Sequence, residues 1–290
     1  MFKRIGLFIA TNLAVMVLLS LVLSVLESVF HVRLGNMGQL IVMAALFGFG
    51  GSLISLLLSK WIAKRATGMH VIEQPSNEIE SWLVSTVRRQ SEAAGVKMPE
   101  VGIYDAPEIN AFATGATRNS SLVAVSTGLL RAMTRTEAEA VLGHEMTHVA
   151  NGDMVTMALL QGVLNTFVIV LSRIVGKIVD SAIFGNRDGG GLSYFLVVTV
   201  LNIVFGMLAS IVVMWFSRWR EFRADAGGAR LAGKEKMIAA LERLGQTYGQ
   251  NTLPNSVQAF GISGGIAHGV QGLFMSHPPL AVRIQALRNS

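Results

Sequence analysis

The sequence predicts a mainly α integral membrane protein of four transmembrane helices, with a smaller α+β domain outside the bilayer. Three observations predict it. The 290 residues are 51% hydrophobic and only 14% charged, against roughly 25% charged in soluble domains. Ile5 to Leu26, Leu34 to Ser59, Met154 to Ser172 and Gly189 to Ser217 contain no Asp, Glu, Lys or Arg, and each is at or near the roughly 20 residues that cross a bilayer as a helix. The polar blocks that remain, about 60–153 and 218–290, are together large enough for one compact domain.

The first span follows Lys3 and Arg4. Its uncharged run is longer than the apolar region of a signal peptide and no small-residue cleavage site follows, so it reads as a retained anchor. Residues 1–62 are then two transmembrane helices, 63–153 the first part of the soluble domain, 154–217 a transmembrane hairpin and 218–290 the second part. Lys60, Lys64, Arg65, Arg218, Arg220 and Arg223 cluster where the second and fourth spans end. An excess of basic residues marks the cytoplasmic side, which places the amino terminus and both soluble blocks there. Outer loops fall near 27–33 and 173–188; Arg173, Lys177 and Arg187 in the second oppose this orientation without reversing it. Trp61, Trp215 and Trp219 lie at the cytoplasmic span ends, where an amphipathic ring favours the interface. The net charge of +6 is thus accounted for by topology, and nucleic acid is not an expected partner. The chain has no cysteine, which excludes disulfides, thiolate nucleophiles and Cys-type zinc sites.

Within the soluble blocks, Asn77 to Ala94 reads as an amphipathic helix with Ile79, Leu83 and Val87 on one face, an Asn77 cap and Gly95 as its stop. Val101 to Tyr104, Asn110 to Ala113 and Leu122 to Ser126 are short strand candidates separated by turn-rich segments. A further helix is expected to start at Thr136 through the capping box Thr136-Glu137-Ala138-Glu139, run to Ala150 and stop at Asn151-Gly152. Lys236 to Leu244 is expected to be helical and to end at Gly245, and a last helix to begin at Pro278-Pro279. Gly185 to Gly191 and Gly261 to Gly269 read as flexible connections, since neither follows a strand into a helix as a phosphate loop would.

The helix over 136–150 contains His144-Glu145-Met146-Thr147-His148. Residues four apart on a helix share a face, so both imidazoles can bind one Zn²⁺ with Glu145 beside them to accept a proton from water. A catalytic zinc takes three protein ligands and keeps one open position. The remaining histidines, His31, His70, His268 and His277, are isolated. Glu221, in Arg220-Glu221-Phe222-Arg223-Ala224-Asp225, is the better third ligand, with Asp225 placed to accept the free N–H of a ligating histidine. The competing reading of this segment is a charged juxtamembrane helix with pairs such as Glu221 and Arg218.

The order Asn110-Ala111-Phe112-Ala113, His144-Glu145-x-x-His148, Asn151-Gly152-Asp153, Glu221-x-x-x-Asp225 and His277-Pro278-Pro279 with Arg283 resembles the HtpX branch of membrane metallopeptidases. That branch is related to the CAAX prenyl endopeptidases and to mitochondrial inner-membrane stress peptidases. The resemblance covers nearly the whole chain and implies a zincin-like (gluzincin) catalytic domain. It implies one Zn²⁺ per subunit held by His144, His148 and Glu221, with Glu145 as general base and Asp225 in support. It further implies an edge strand over Asn110, Ala111, Phe112 and Ala113 that pairs with substrate backbone, and His277 or Arg283 as a donor to the oxyanion. An internal strand, a helix cap and a solvated arginine are the competing readings of these last features.

The implied activity is hydrolysis of peptide bonds in misfolded or damaged membrane proteins, or in unfolded chains, at the cytoplasmic face of the bacterial inner membrane as part of a stress response. His148 lies six residues before the third span and Glu221 four after the fourth, so the metal is expected within about 9 Å of the spans along each helix. A membrane scaffold or transporter with a structural metal is the alternative. Against it stand the uncharged spans, which lack the internal charge of a transport path.

Overall fold

Three helices carry the apolar stretches in the computed structural model, which describes residues 37–185, 191–248 and 277–290. Helix α1 is Met37–Thr67, followed by β1 (His70–Val71), α2 (Glu78–Ala93), β2 (Glu100–Tyr104), β3 (Ala111–Thr117), β4 (Ser120–Ser126) and α3 (Thr127–Ala132). Then come α4 (Arg135–Asn151), α5 (Asp153–Phe184), α6 (Leu192–Ala232), α7 (Lys234–Tyr248) and α8 (Leu280–Arg288). Gly38–Thr67, Asp153–Phe184 and Leu192–Ala232 are long and apolar enough to cross a membrane, with mean hydropathies of 2.2, 2.0 and 2.6. The expected first span, the outer loop at 27–33, the glycine-rich segment at 261–269 and most of that at 185–191 lie outside the described residues.

Two compact units result. One comprises 37–55, 157–185 and 191–213. In it, Gly48 meets Thr166 and Gly162 meets Phe49 and Ser52 at distances that leave no room for a Cβ, the small-residue contact by which helices approach in lipid. Ile41, Ala44, Val170 and Ile174 are buried there. The expected outer loop from 173 is helical as far as Phe184. Arg173, Lys177 and Asp180 end the uncharged run, but charges do not break a helix.

The second unit comprises 56–156, 214–248 and 277–290. Its four-stranded sheet has the order β1-β2-β4-β3; β2 and β4 are parallel, whereas β1 with β2 and β3 with β4 are antiparallel. Strand β4, buried from Ser121 to Ser126, is central, as its apolar run suits. Strand β3 is an edge. It begins at Ala111, not at the expected Asn110, whose carbonyl instead accepts the Ser126 N–H. Helices α2, α4, α7 and α8 contribute Leu83, Val87, Leu142, Met146, Met237, Leu241 and Leu287 to the same core as Val101, Val123 and Val125. Lys60 and Lys64, one turn apart on α1, both pair with Glu100 at the start of β2.

Helix α2 has its Asn77 cap and Gly95 adopts a positive φ beyond its end, as the sequence suggests. The cap of α4 is Thr134, not Thr136: Thr134 and Glu137 form the reciprocal box, because Glu139 is engaged by Arg89 and Lys236. Helix α7 starts at Lys234 and continues through Gly245 to Tyr248. The last helix begins at Leu280, with Pro279 at the cap.

Glycines allow α4 and α6 to touch. A Cβ on Gly228 would lie 2.9 Å from the His144 backbone nitrogen, one on Gly143 3.2 Å from the Gly228 oxygen, and one on Gly227 2.2 Å from Thr147 Cγ2 and 2.9 Å from its Cβ. Helix propensity favours alanine over glycine by roughly 1 kcal/mol, but overpacking costs about 1–3 kcal/mol. Gly227→Ala should therefore lower the thermal midpoint of the purified protein. Gly206→Ala, on the same helix with nothing within 4 Å, should leave it unchanged or raise it.

Candidate metal centre

Helix α4 is buried almost all round near its carboxyl end: Gly143, His144, Met146, Thr147, His148 and Val149 are buried, and Glu145 is half-buried. The helix stops at Gly152, which takes a left-handed conformation (φ 68°) and donates its N–H to His148 and Val149 carbonyls. That backbone reversal starts α5 at once, so Asp153 turns back onto the helix it follows. Helix α6 runs unbroken from Leu192 to Ala232 and brings Glu221 and Asp225, both 1% exposed, against α4.

The donor atoms converge. His144 Nε2 and His148 Nε2 are 3.2 Å apart, and they lie 3.4 and 3.3 Å respectively from the two oxygens of Glu221. Ligands about 2.0–2.1 Å from a tetrahedral zinc are separated by roughly 3.3 Å. The other ring nitrogens point away from this centre: Nδ1–H of His144 donates to Asp225 Oδ1 at 2.9 Å, and Nδ1–H of His148 to Asp153 Oδ2 at 2.6 Å. Both imidazoles thus present Nε2 inward in the tautomer that a metal requires.

Arginines hold the outer carboxylates. Arg283 donates through Nε and Nη2 to both Asp225 oxygens at 2.7 and 2.6 Å, and its Nη1 is 3.6 Å from Glu221. Arg220 lies 3.5 Å from Asp153. His277, with its side chain 62% exposed, sits 2.7 Å from Glu221 Oε2 through Nδ1. Four carboxylates, those of Glu145, Asp153, Glu221 and Asp225, face two guanidiniums, so with neutral imidazoles the cluster carries two negative charges in excess. A divalent cation balances it.

Protonation reflects the same excess. Burial disfavours imidazolium at His144, but hydrogen bonds to Asp225 and Glu221 outweigh it and push the pKa up to about 9. His148 is raised too, against its burial, by Asp153 and Glu221. Burial opposes ionisation of Glu221, yet His144, His148 and His277 hold it far below the usual carboxylate range. Asp225 is lowered against its burial by Arg283 and His144. The donor set fits a zinc-type cation that displaces imidazole protons, so its affinity falls as pH falls.

Of the residues singled out from sequence, the structure brings together His144, Glu145, His148, Glu221, Asp225, His277 and Arg283. His70 is placed on β1, outside the cluster, and His31 and His268 lie outside the described residues. Asn110 to Ala113 line the sheet edge, and α4 packs against β3. Asp153 and Arg220 have no place at the metal centre in the sequence reading, where Asp153 stands only in the Asn151-Gly152-Asp153 motif and Arg220 only among the basic residues after the fourth span. The signal was present in Asn151-Gly152-Asp153, a helix stop followed at once by a carboxylate.

An H-E-x-x-H helix and a distant glutamate converging on one centre, in a chain with bilayer-length apolar helices, define a membrane metallopeptidase. The chain belongs to peptidase family M48, whose sequence profile matches residues 77–290. It is 66% identical over 291 residues to Protease HtpX of Xanthomonas campestris pv. campestris (strain B100), covering 100% of this chain and 98% of the relative. It is 66% identical over 289 residues to Protease HtpX of Xanthomonas oryzae pv. oryzae (strain MAFF 311018), covering 99% and 98%. The fold is similar to the crystal structure of S. mikatae Ste24p, with a TM-score of 0.62 at 16% identity, over 99% of this chain and 65% of that one. The protein is accordingly a metalloendopeptidase of the membrane.

With Zn²⁺ as the probe, Asp153→Asn should weaken metal binding about 10- to 100-fold, as loss of a histidine-orienting carboxylate does elsewhere. Chelator competition on the purified protein measures this. The same competition at lower pH should show weaker binding for the wild type.

Proposed function

We propose that this peptidase uses one Zn²⁺, held by His144, His148 and Glu221, to hydrolyse peptide bonds in cytoplasmic segments of misfolded or damaged membrane proteins. The carrying observation is the convergence of both Nε2 atoms and the Glu221 carboxylate, with Glu145 beside them on the helix and outside the ligand set. When bound, zinc supplies Lewis acidity that polarises the scissile carbonyl and lowers the pKa of water toward about 7.

The chain's own residues divide the remaining work. Glu145 takes the proton from the attacking water and delivers it to the leaving amine. Asp225, clamped by Arg283, and Asp153 beside Arg220 hold the two imidazoles in register. With Arg283 engaged on Asp225, the exposed His277 is the better placed donor for the oxyanion. Strand β3 supports substrate binding at its open edge: Asn110 bonds toward β4, so by the alternation of an antiparallel ladder Ala111 and Ala113 direct main-chain groups outward, where an extended substrate can add as a strand.

We also read the chain as a four-span protein of the bacterial inner membrane, built from the blocks 1–62, 63–153, 154–217 and 218–290, with its amino terminus and a gluzincin-type catalytic domain in the cytoplasm. Basic residues beside the second and fourth spans support that orientation, and proteolytic quality control under stress is the role it suits.

Glu145→Gln should retain stoichiometric zinc and lose about 10² to 10⁴ in turnover of casein. Metal analysis and turnover on one preparation measure both; undiminished turnover would remove Glu145 from the mechanism. For topology, cysteines placed singly at Lys97 and Lys234 should resist an impermeant thiol reagent in intact cells and react after lysis. Labelling of either from outside reverses the proposed orientation.

A further inference from the structure

The hairpin unit contains a feature that peptide hydrolysis does not use. Between α1, α5 and α6 lies a cleft of about 550 Å³ whose walls include Phe47, Arg173, Tyr194, Phe195, Thr199 and Asn202. Phe47 and Phe195 are each 64% exposed, and Arg173 is exposed as well. The cleft is therefore open to whatever surrounds the hairpin.

Arg173 is placed to meet an anion there. The uncharged run of α5 from Met154 to Ser172 rises roughly 28 Å at 1.5 Å per residue, close to the ~30 Å of hydrocarbon in a bilayer. Arg173 is the first charge beyond it and so stands where lipid phosphates lie. Tyr194, in the first turn of α6, lines the same cleft as Arg173, and its polar tip suits the same level. Asp180, two turns further along α5, is fully buried and neither of its carboxylate oxygens has a hydrogen-bond partner, so it makes no hydrogen bond to the exposed guanidinium. Phe47 and Phe195 give the same cleft an exposed apolar surface beside the guanidinium. A cation at phosphate depth beside exposed aromatic rings is complementary to an anionic amphiphile.

We propose that this cleft is a binding site for one anionic glycerophospholipid, in the leaflet at the turn end of the hairpin. Its phosphodiester is held by the guanidinium of Arg173 and the phenol of Tyr194, and an acyl chain lies against Phe47 and Phe195. Among the described residues no carboxylate lines the cleft, so none of them receives the ammonium of a zwitterionic headgroup. The ligand is accordingly phosphatidylglycerol-like, not phosphatidylcholine-like, and the apolar walls require the intact lipid over free phosphate.

The test uses the full-length protein, delipidated in detergent and titrated separately with phosphatidylglycerol, phosphatidylcholine and inorganic phosphate. Native mass spectrometry counts bound lipid, and thermal unfolding reports stabilisation. Phosphatidylglycerol should bind one per chain and raise the midpoint, whereas phosphatidylcholine and phosphate should do neither. Arg173→Gln should weaken phosphatidylglycerol binding roughly fivefold, the contribution of one basic residue at an anionic surface, and Arg173→Lys should restore part of it. Tyr194→Phe, which keeps the ring and removes only the hydroxyl, should give a smaller loss in the same direction and decides the matter if Arg173→Gln does not fold. Wild-type retention of phosphatidylglycerol in both Arg173→Gln and Tyr194→Phe, or equal binding of phosphatidylcholine, would overturn the site.

Discussion

Everything at the metal centre depends on one close crossing, that of α4 over α6 at Gly143, Gly227 and Gly228. Two of the donors come from one helix turn, but the third comes from a residue 73 positions after His148, on a helix that could pass at an ordinary interaxial distance and miss. With no Cβ at Gly228, its backbone approaches the His144 nitrogen closely. Glu221 and Asp225, nearly two turns and one turn before Gly228, are thereby drawn beneath the imidazoles. Larger side chains at the crossing would leave Glu221 an ordinary juxtamembrane glutamate.

Around that crossing the charges are arranged in two matching arms, His144 to Asp225 to Arg283 and His148 to Asp153 to Arg220. A buried carboxylate is costly unless it is paired and hydrogen-bonded: Asp225 has a guanidinium bonded behind it and an imidazole in front, and Asp153 is bonded to His148 with Arg220 as an ion-pair partner at 3.5 Å. The arms also fix both ring orientations, with each Nε2 turned to the centre. Helix α8 contributes only nine residues, yet it supplies Arg283 and is therefore part of the centre.

Much of this was legible in the sequence, for identifiable reasons. Spans announce themselves by the absence of charge, and His144 and His148 by a spacing that only a helix makes meaningful. Glu221 was legible as a candidate ligand by residue type but its location was not, since a helix crossing leaves no local trace beyond glycines that resemble any others. Two competing boxes, Thr134 with Glu137 and Thr136 with Glu139, are equivalent as text; the structure uses the first because Glu139 is drawn away by Arg89 and Lys236. Gly245 reads as a stop, yet α7 passes through it because Leu280 of α8 packs beside it, a tertiary contact that outweighs a local propensity. Asp153 was overlooked because Asn-Gly-Asp reads as the end of one helix, and only the left-handed Gly152 shows that it also aims a carboxylate backward.

The unbroken run of α6 from Leu192 to Ala232 also has a consequence for how the enzyme is born. Chains emerge from the ribosome amino terminus first, so the histidine pair is made before the apolar hairpin and Glu221 after it. A nascent chain halted anywhere between residues 149 and 220 carries His144, Glu145 and His148 but not Glu221. The centre can close only after both hairpin helices have been synthesised and the last of them has continued through Gly228 to reach α4. Assembly of the three-donor centre is thus tied to completion of the membrane hairpin.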